Sequence, residues 1–200
     1  PGPKVPPVPQ PTGSARAGVY AVDKKDVNQG RVSMGHIGLR RPIPDEEALD
    51  VANDILGGGG FTAWMMKRVR SDEGLAYGAY SRFGVGDLLP GTFRAYFQSK
   101  SATCARAATL TLELMGKLRG GEATAKDIDT SKKSFIETLP RTFETKLRTV
   151  QRFATDELVG LSHEYWTGYR TRIAAVDAAA GKQAATKRMK PDELIVVIVG

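Results

Sequence analysis

The chain closes on LIVVIVG, residues 194–200, six apolar side chains in a row before a glycine. A strand that is apolar at every position is buried on both faces or central in its sheet, so the last strand is expected to insert between earlier ones. Those earlier strands can be read. ARAGVYAV (15–22) and RVSMGHIGL (31–39) are joined by a polar turn around Asp23 to Gly30, and LAYGAYSRFGV (75–85) is a third. TFRAYFQ (92–98) alternates cleanly, with Phe93, Ala95 and Phe97 on one face and Thr92, Arg94, Tyr96 and Gln98 on the other. That period of two describes a sheet with one covered face and one wetter face.

Between the strands the pattern is helical. In PDEEALDVANDILGGGG (44–60) the acids after Pro44 suit a helix N-terminus, Ala48, Ala52 and Ile55 share one face, and the glycine run ends the helix. Thr62 is the expected N-cap of a second helix, with Phe61 packing on Met66 as a hydrophobic staple. That helix carries Trp64, Met65 and Val69 and stops before Gly74. Farther on, Ala105, Ala108, Leu112 and Met115 form one stripe, and helices are expected over 124–138, 143–160 and 164–187. Strands first, helices in the middle and a final strand give an α+β fold, a largely antiparallel sheet with helices packed on one face. The tract PGPKVPPVPQPTG, residues 1–13, is expected to be a polyproline-prone linker, with one folded domain running from Ser14 to residue 200. A start at Pro1 rather than at methionine is what a piece of a longer polypeptide would show.

Composition narrows the function. The net charge of +7 comes from 29 Lys and Arg against 22 Asp and Glu. From Lys117 to Lys190 the cations are interleaved with Glu137, Glu144, Asp156 and Glu157, which describes solvated helix faces rather than a nucleic-acid patch, so no nucleic-acid partner is expected. No apolar run approaches the length of a membrane span. Cys104 is the only cysteine, which excludes an internal disulfide and a multi-thiolate metal site; in its Ala-rich helix it reads as core filler. The glycines at 57–60 lack a following Lys-Ser or Lys-Thr, and the dinucleotide register fails at Thr62 and Ala63, so they stop a helix rather than cradle phosphate. His36 and His163, the only histidines, have no acid or second histidine at metal-ligand spacing. Neither a metal site nor a general base is expected in this chain, and each histidine reads as a half-buried strand residue or a surface one.

What remains is RSDEGLAY, with Arg70 and Tyr77 seven residues apart across a glycine at a helix-to-strand junction. Two readings stand. Arg70 is one surface cation among several and Tyr77 one strand aromatic among several, or the turn brings both to one cavity wall where they hold a substrate carbonyl or a developing oxyanion. Tyr80, three residues along, falls on the opposite strand face by alternation.

The stretch DEEALDVANDILGGGGFTAWMMKRVRSDEGLAYGAYSRF, residues 45–83, resembles the signature of the C-terminal half of pitrilysin-type zinc peptidases. This is the family of insulin-degrading enzyme, mitochondrial processing peptidase and many bacterial two-domain proteases. The resemblance extends from the Pro-Thr-Gly at 11–13 to the closing PDELIVVIVG, and departs where many members have Ser-Ser-Arg-Leu and this chain has Thr62, Ala63, Trp64 and Met65. It implies the LuxS/MPP-like metallohydrolase fold and a peptidase C-terminal domain, active only with a homologous N-terminal domain whose H-x-x-E-H motif binds zinc and supplies the general base. That motif is absent here. By resemblance, Arg70 and Tyr77 bind and polarise a peptide substrate near the scissile bond, the zinc-binding domain is the partner, and a bacterial periplasmic setting is favoured over the cytoplasm. The family also contains non-catalytic scaffolds, which is the alternative.

Overall fold

The computed structural model describes residues 8–9, 16–162 and 164–200. Most of the linker expected over 1–13, the domain start expected at Ser14, and His163 lie outside them. The strands are β1 (Gly18–Val22), β2 (Gln29–Ile37), β3 (Leu39–Arg40), β4 (Ala76–Phe83), β5 (Val85–Gly86), β6 (Thr92–Lys100) and β7 (Ile195–Val199). The α-helices are α1 (Glu46–Asn53), α2 (Cys104–Gly120), α3 (Ala125–Thr138), α4 (Lys146–Val159), α5 (Tyr165–Ala175) and α6 (Ala178–Arg188). The main sheet runs β1-β7-β2-β6-β4, antiparallel at every pairing except β1 with β7, and β3 and β5 form a small parallel pair.

The apolar last strand does insert between earlier ones: Val197 stands opposite Tyr20 of β1 and Ser33 of β2. It is not buried on both faces, however. Val196 is buried, while the other residues of β7 are only half-buried, because helices cover one side of the sheet alone. The alternation of β6 shows which side. Phe93, Ala95 and Phe97 are buried together with Val32 and Met34 of β2 and Ala79 and Phe83 of β4, beneath Leu49 and Ala52 of α1 and Met115 of α2. Arg94, Tyr96 and Gln98 point away from the helices and are exposed.

The acids at the start of α1 do more than favour a helix N-terminus. Asp45 pairs with Arg188 of α6 at 2.6 Å, Glu46 with Arg41 after β3, and Glu47 with Arg172 of α5 at 2.5 Å. One helix end thereby ties the adjoining segment after β3 to α5 and α6, which lie more than 120 residues farther along. Burial offers little to α4, whose one buried residue is Asp156; its carboxylate accepts from Arg152 at 2.5 Å and from the Trp166 indole of α5 at 2.6 Å.

Three helical expectations are corrected. The buried face of α2 carries Cys104, Ala107, Ala108, Leu110, Thr111, Leu114, Met115 and Leu118, so Ala105 and Leu112 face solvent. Thr111 enters the core because its hydroxyl donates to the Ala107 carbonyl at 2.9 Å, which removes the cost of burying it. The helix expected over 164–187 is two helices, α5 and α6, since Asp177 caps the second by accepting the Ala180 N–H at 2.7 Å. Thr62 is not an N-cap. It lies in a 3₁₀ turn, Gly60–Thr62, its hydroxyl donates back to the Gly59 carbonyl at 2.8 Å, and Phe61 is 74% exposed rather than stapled to Met66. The reason is that the backbone on either side winds into π-helical segments, Asp54–Gly58 and Met66–Asp72, which shift the register of the second helix.

The two singular side chains are both interior. Cys104 is buried, and that burial pushes its thiol pKa up, which disfavours the thiolate form. His36 is only 5% exposed, more buried than expected, and stacks on Phe93 at 5.2 Å. Its Nδ1–H donates to the Ile37 carbonyl at 2.8 Å and its Nε2 accepts the Lys190 N–H at 3.2 Å, so the neutral ring is fully bonded and burial lowers its pKa.

Gly57 shows how closely the π turn approaches the sheet, since a Cβ there would lie 2.4 Å from the backbone nitrogen of Ser81 in β4. Gly57→Ala is therefore expected to destabilise the protein by about 1–3 kcal/mol through overpacking. Gly116→Ala, in α2 with nothing within 4 Å of its Cβ, should instead stabilise by roughly 0.5–1 kcal/mol. Chemical denaturation of both variants checks the pair, and equal effects of one sign would contradict the packing argument.

Candidate functional site

The π-helical segment Met66–Asp72 sets the position of Arg70, and Gly74, at φ 61°, turns the chain into β4. Arg70 then lies between two rings, with its guanidinium carbon 4.9 Å from the Phe61 centroid and 5.4 Å from that of Tyr77. The structure thus brings the two predicted site residues side by side. Cation–π contact fixes a guanidinium that would otherwise sample many rotamers. Tyr77 is 89% exposed, and no residue described donates a hydrogen bond to its hydroxyl or accepts one from it.

Tyr77 owes its exposure to a bulge. Ala76 pairs with Ser99 and Ala79 with Phe97, so three steps along β4 match two along β6. The extra residue leaves Tyr77 and Gly78 both on the uncovered side and resets the alternation beyond them. Tyr80 therefore shares the uncovered face with Tyr77, contrary to the strict alternation expected from the sequence. It stands opposite Tyr96, ring to ring at 5.7 Å, and folds back over Gly78, where a Cβ would meet its hydroxyl at 2.7 Å. A glycine inside a strand is the sequence signal for such a bulge. With Arg31, Arg94, Tyr96 and Gln98, these tyrosines border a depression of about 380 Å³. Arg70 is not part of that lining; it backs the Tyr77 ring.

A second cavity, about 610 Å³, opens on the other side of Tyr80 and Tyr96; Glu46, Asp50, Asp54 and Asp87 line it together with Arg41, Arg82 and Arg152. The Asp50 carboxyl makes no hydrogen bond or ion pair among the described residues. Burial, reinforced by Glu46, Glu47 and Asp54 against the pull of Arg41, pushes its carboxyl up to about 7. Sequence reasoning passed over this group because its position in α1 reads as an ordinary polar face. No three His, Cys, Asp or Glu side chains are grouped to hold a metal among the described residues, and the residues present do not fit a zinc ion.

Comparison with known proteins gives this geometry a setting. The model of a family described as the peptidase M16 inactive domain matches residues 1–135. The chain belongs to the M16 peptidases, as the domain of that family described as inactive. No curated protein matches it. Among solved structures it superposes on a peptidase M16 inactive domain from Pseudomonas fluorescens with a TM-score of 0.88 at 24% identity, covering 100% of this chain and 47% of that one. A protease from Helicobacter pylori gives 0.82 at 21% identity, covering 98% and 48%. The periplasmic protease PqqL from Escherichia coli gives 0.74 at 14%, covering 92% and 21%. At these identities the likeness is one of fold, and the chain spans about half the length of the first two structures or less of the third.

The raised pKa of Asp50 has a measurable sign. A carboxyl whose folded pKa lies above its unfolded value stabilises fully below about 3.8 and loses that contribution as pH rises through about 7. Asp50→Asn, which mimics the neutral acid, should gain stability relative to the parent between pH 4 and pH 8, by about 1–4 kcal/mol in total. Denaturation at a series of pH values checks it; a difference that stays flat would mean that Asp50 ionises as it does in water.

Proposed function

We propose that this chain is the substrate-binding, catalysis-completing half of a zinc-dependent endopeptidase that hydrolyses peptides in a two-domain chamber. The zinc ion and general base belong in this reading to a separate H-x-x-E-H domain, upstream in the same polypeptide or on a partner subunit. Residues 1–13 are then the linker and 14–200 the peptidase C-terminal domain. The observation that carries the reading is the placement of Arg70 and Tyr77: a held cation beside a phenol that is 89% exposed, at the rim of the uncovered sheet face. A buried position would serve packing; this one presents a donor to something outside the chain. Tyr77 donates its O–H to the oxygen of the scissile carbonyl as negative charge develops there, and Arg70 supplies a fixed positive charge alongside. Membership of the M16 peptidases and the fold shared with a periplasmic protease support a peptidase role and the periplasm over the cytoplasm.

One observation favours the alternative, a non-catalytic scaffold of the same fold. Arg70 is engaged on the faces of Phe61 and Tyr77, a use that needs no substrate. Kinetics on the complete protein, with its zinc domain present, decide between the two. Tyr77→Phe keeps the ring and its contact with Arg70 but removes the donor, and should lower kcat roughly a hundredfold to a thousandfold. Arg70→Ala should fall in the same direction, with part of the loss in KM where the guanidinium anchors the ground state. Tyr80 lies on the same face as Tyr77 and so cannot serve as the control. Tyr20, on β1 at the far edge of the sheet and about 19 Å away by four strand spacings, takes its place, and Tyr20→Phe should stay within a few-fold of the parent. Parental turnover in a folded, zinc-loaded Tyr77→Phe protein would favour the scaffold.

A further inference from the structure

We infer that the uncovered face of the sheet, along Arg31, Arg94 and Arg82, receives a polypeptide segment bearing carboxylate side chains. The inference rests on the peptidase reading and adds to it the charge of the substrate. The five strands of the main sheet contain no aspartate and no glutamate, and their cations, Arg31, Arg82, Arg94 and Lys100, are all exposed. Arg82 and Arg94 are direct cross-strand partners between β4 and β6. Like charges placed opposite one another weaken a sheet, so the pair is not there for stability. Neither the Arg31 nor the Arg82 guanidinium makes a hydrogen bond or ion pair among the described residues, although Arg82 also borders the cavity lined by Glu46, Asp50, Asp54 and Asp87; Arg94 bonds the Ser33 hydroxyl at 3.0 Å and lies 4.9 Å from the Tyr96 ring. On the helical side Arg41, Arg152, Arg172 and Arg188 are each ion-paired, whereas none of the three strand arginines has a carboxylate partner among the described residues.

The shape suits an extended chain. Arg94 borders two adjoining depressions, about 380 Å³ toward Arg31 and about 390 Å³ toward Arg82. The two depressions share Arg94 and Tyr96, and the residue opposite Arg94 on β2 is Gly35, which adds no side chain beside the guanidinium. Arg31 pairs with Gln98, four residues along β6 from Arg94, so the two cations are spaced by about 13 Å along the strands. In an extended peptide, side chains four positions apart on one face repeat at that same distance of about 13 Å. Acidic residues at i and i+4 of a bound strand would therefore reach both.

The test uses the full-length protein that carries this chain and two fluorescein-labelled peptides that differ only in glutamate or glutamine at alternate positions. Anisotropy titrations should show the glutamate peptide binding about tenfold tighter, as two surface charge pairs allow, with the advantage shrinking as salt rises. Arg82→Gln with Arg94→Gln should reduce the preference to about twofold or less. Arg31→Glu with Arg94→Glu should transfer it to a lysine version of the peptide, a gain that misfolding cannot produce. Equal binding of the glutamate and glutamine peptides, or tighter binding of a single-stranded oligothymidine than of the glutamate peptide, overturns the inference. Binding is read here without turnover. A Tyr77→Phe protein that loses turnover while the parent shows no glutamate preference sinks this inference alone, and a glutamate preference in a protein whose turnover ignores Tyr77→Phe sinks the catalytic reading alone.

Discussion

Everything in this domain follows from a sheet that is covered on one side. Phe93, Ala95 and Phe97 alternate into the helical layer while Arg94, Tyr96 and Gln98 alternate out of it, and the neighbouring strands match that phase through cross-strand register. A slip of one residue would place arginine under the helices and phenylalanine in water, so the register is strongly fixed. The helical layer is positioned in turn by α1, whose three N-terminal acids hold Arg41, Arg172 and Arg188. The uncovered face has no helical layer over it, so its side chains are left to meet what lies outside the chain.

The candidate site is a local departure from that alternation. Two π-helical segments and a β-bulge lie within thirty residues of one another, and each shifts a register by one position. Wide helical turns and bulges recur near functional sites because they re-aim a side chain without unfolding its element. Here they place Arg70 against Tyr77 and turn Tyr77 and Tyr80 to the same side.

Much of the fold could be read in the sequence, and the misses share a cause. Alternation in TFRAYFQ gave the two faces, and the unbroken apolar run at 194–199 gave the central position of β7. Both signals are periodic and so survive averaging along a segment. The errors fell where one local bond overrides a pattern: the Thr111 hydroxyl satisfied within α2, Asp177 ending one helix and starting another, and Thr62 bonding backward. Resemblance singled out Arg70 and Tyr77, but the unpaired arginines needed registers that the sequence does not supply. Arg82 opposite Arg94 becomes visible only when β4 is laid against β6 with its bulge in place.

The position of β7 in the chain also sets a schedule. Its only hydrogen-bonded neighbour on one side is β1, which leaves the ribosome about 170 residues earlier. At about 5–20 residues per second, β1 waits roughly 10–35 s for its partner, and β2 waits nearly as long on the same flank. Through that interval two rows of backbone N–H and C=O groups are open to pairing with any other extended chain. A nascent or prematurely ended product is thus sticky in a way the finished domain is not, and that hazard is removed only when the last strand arrives.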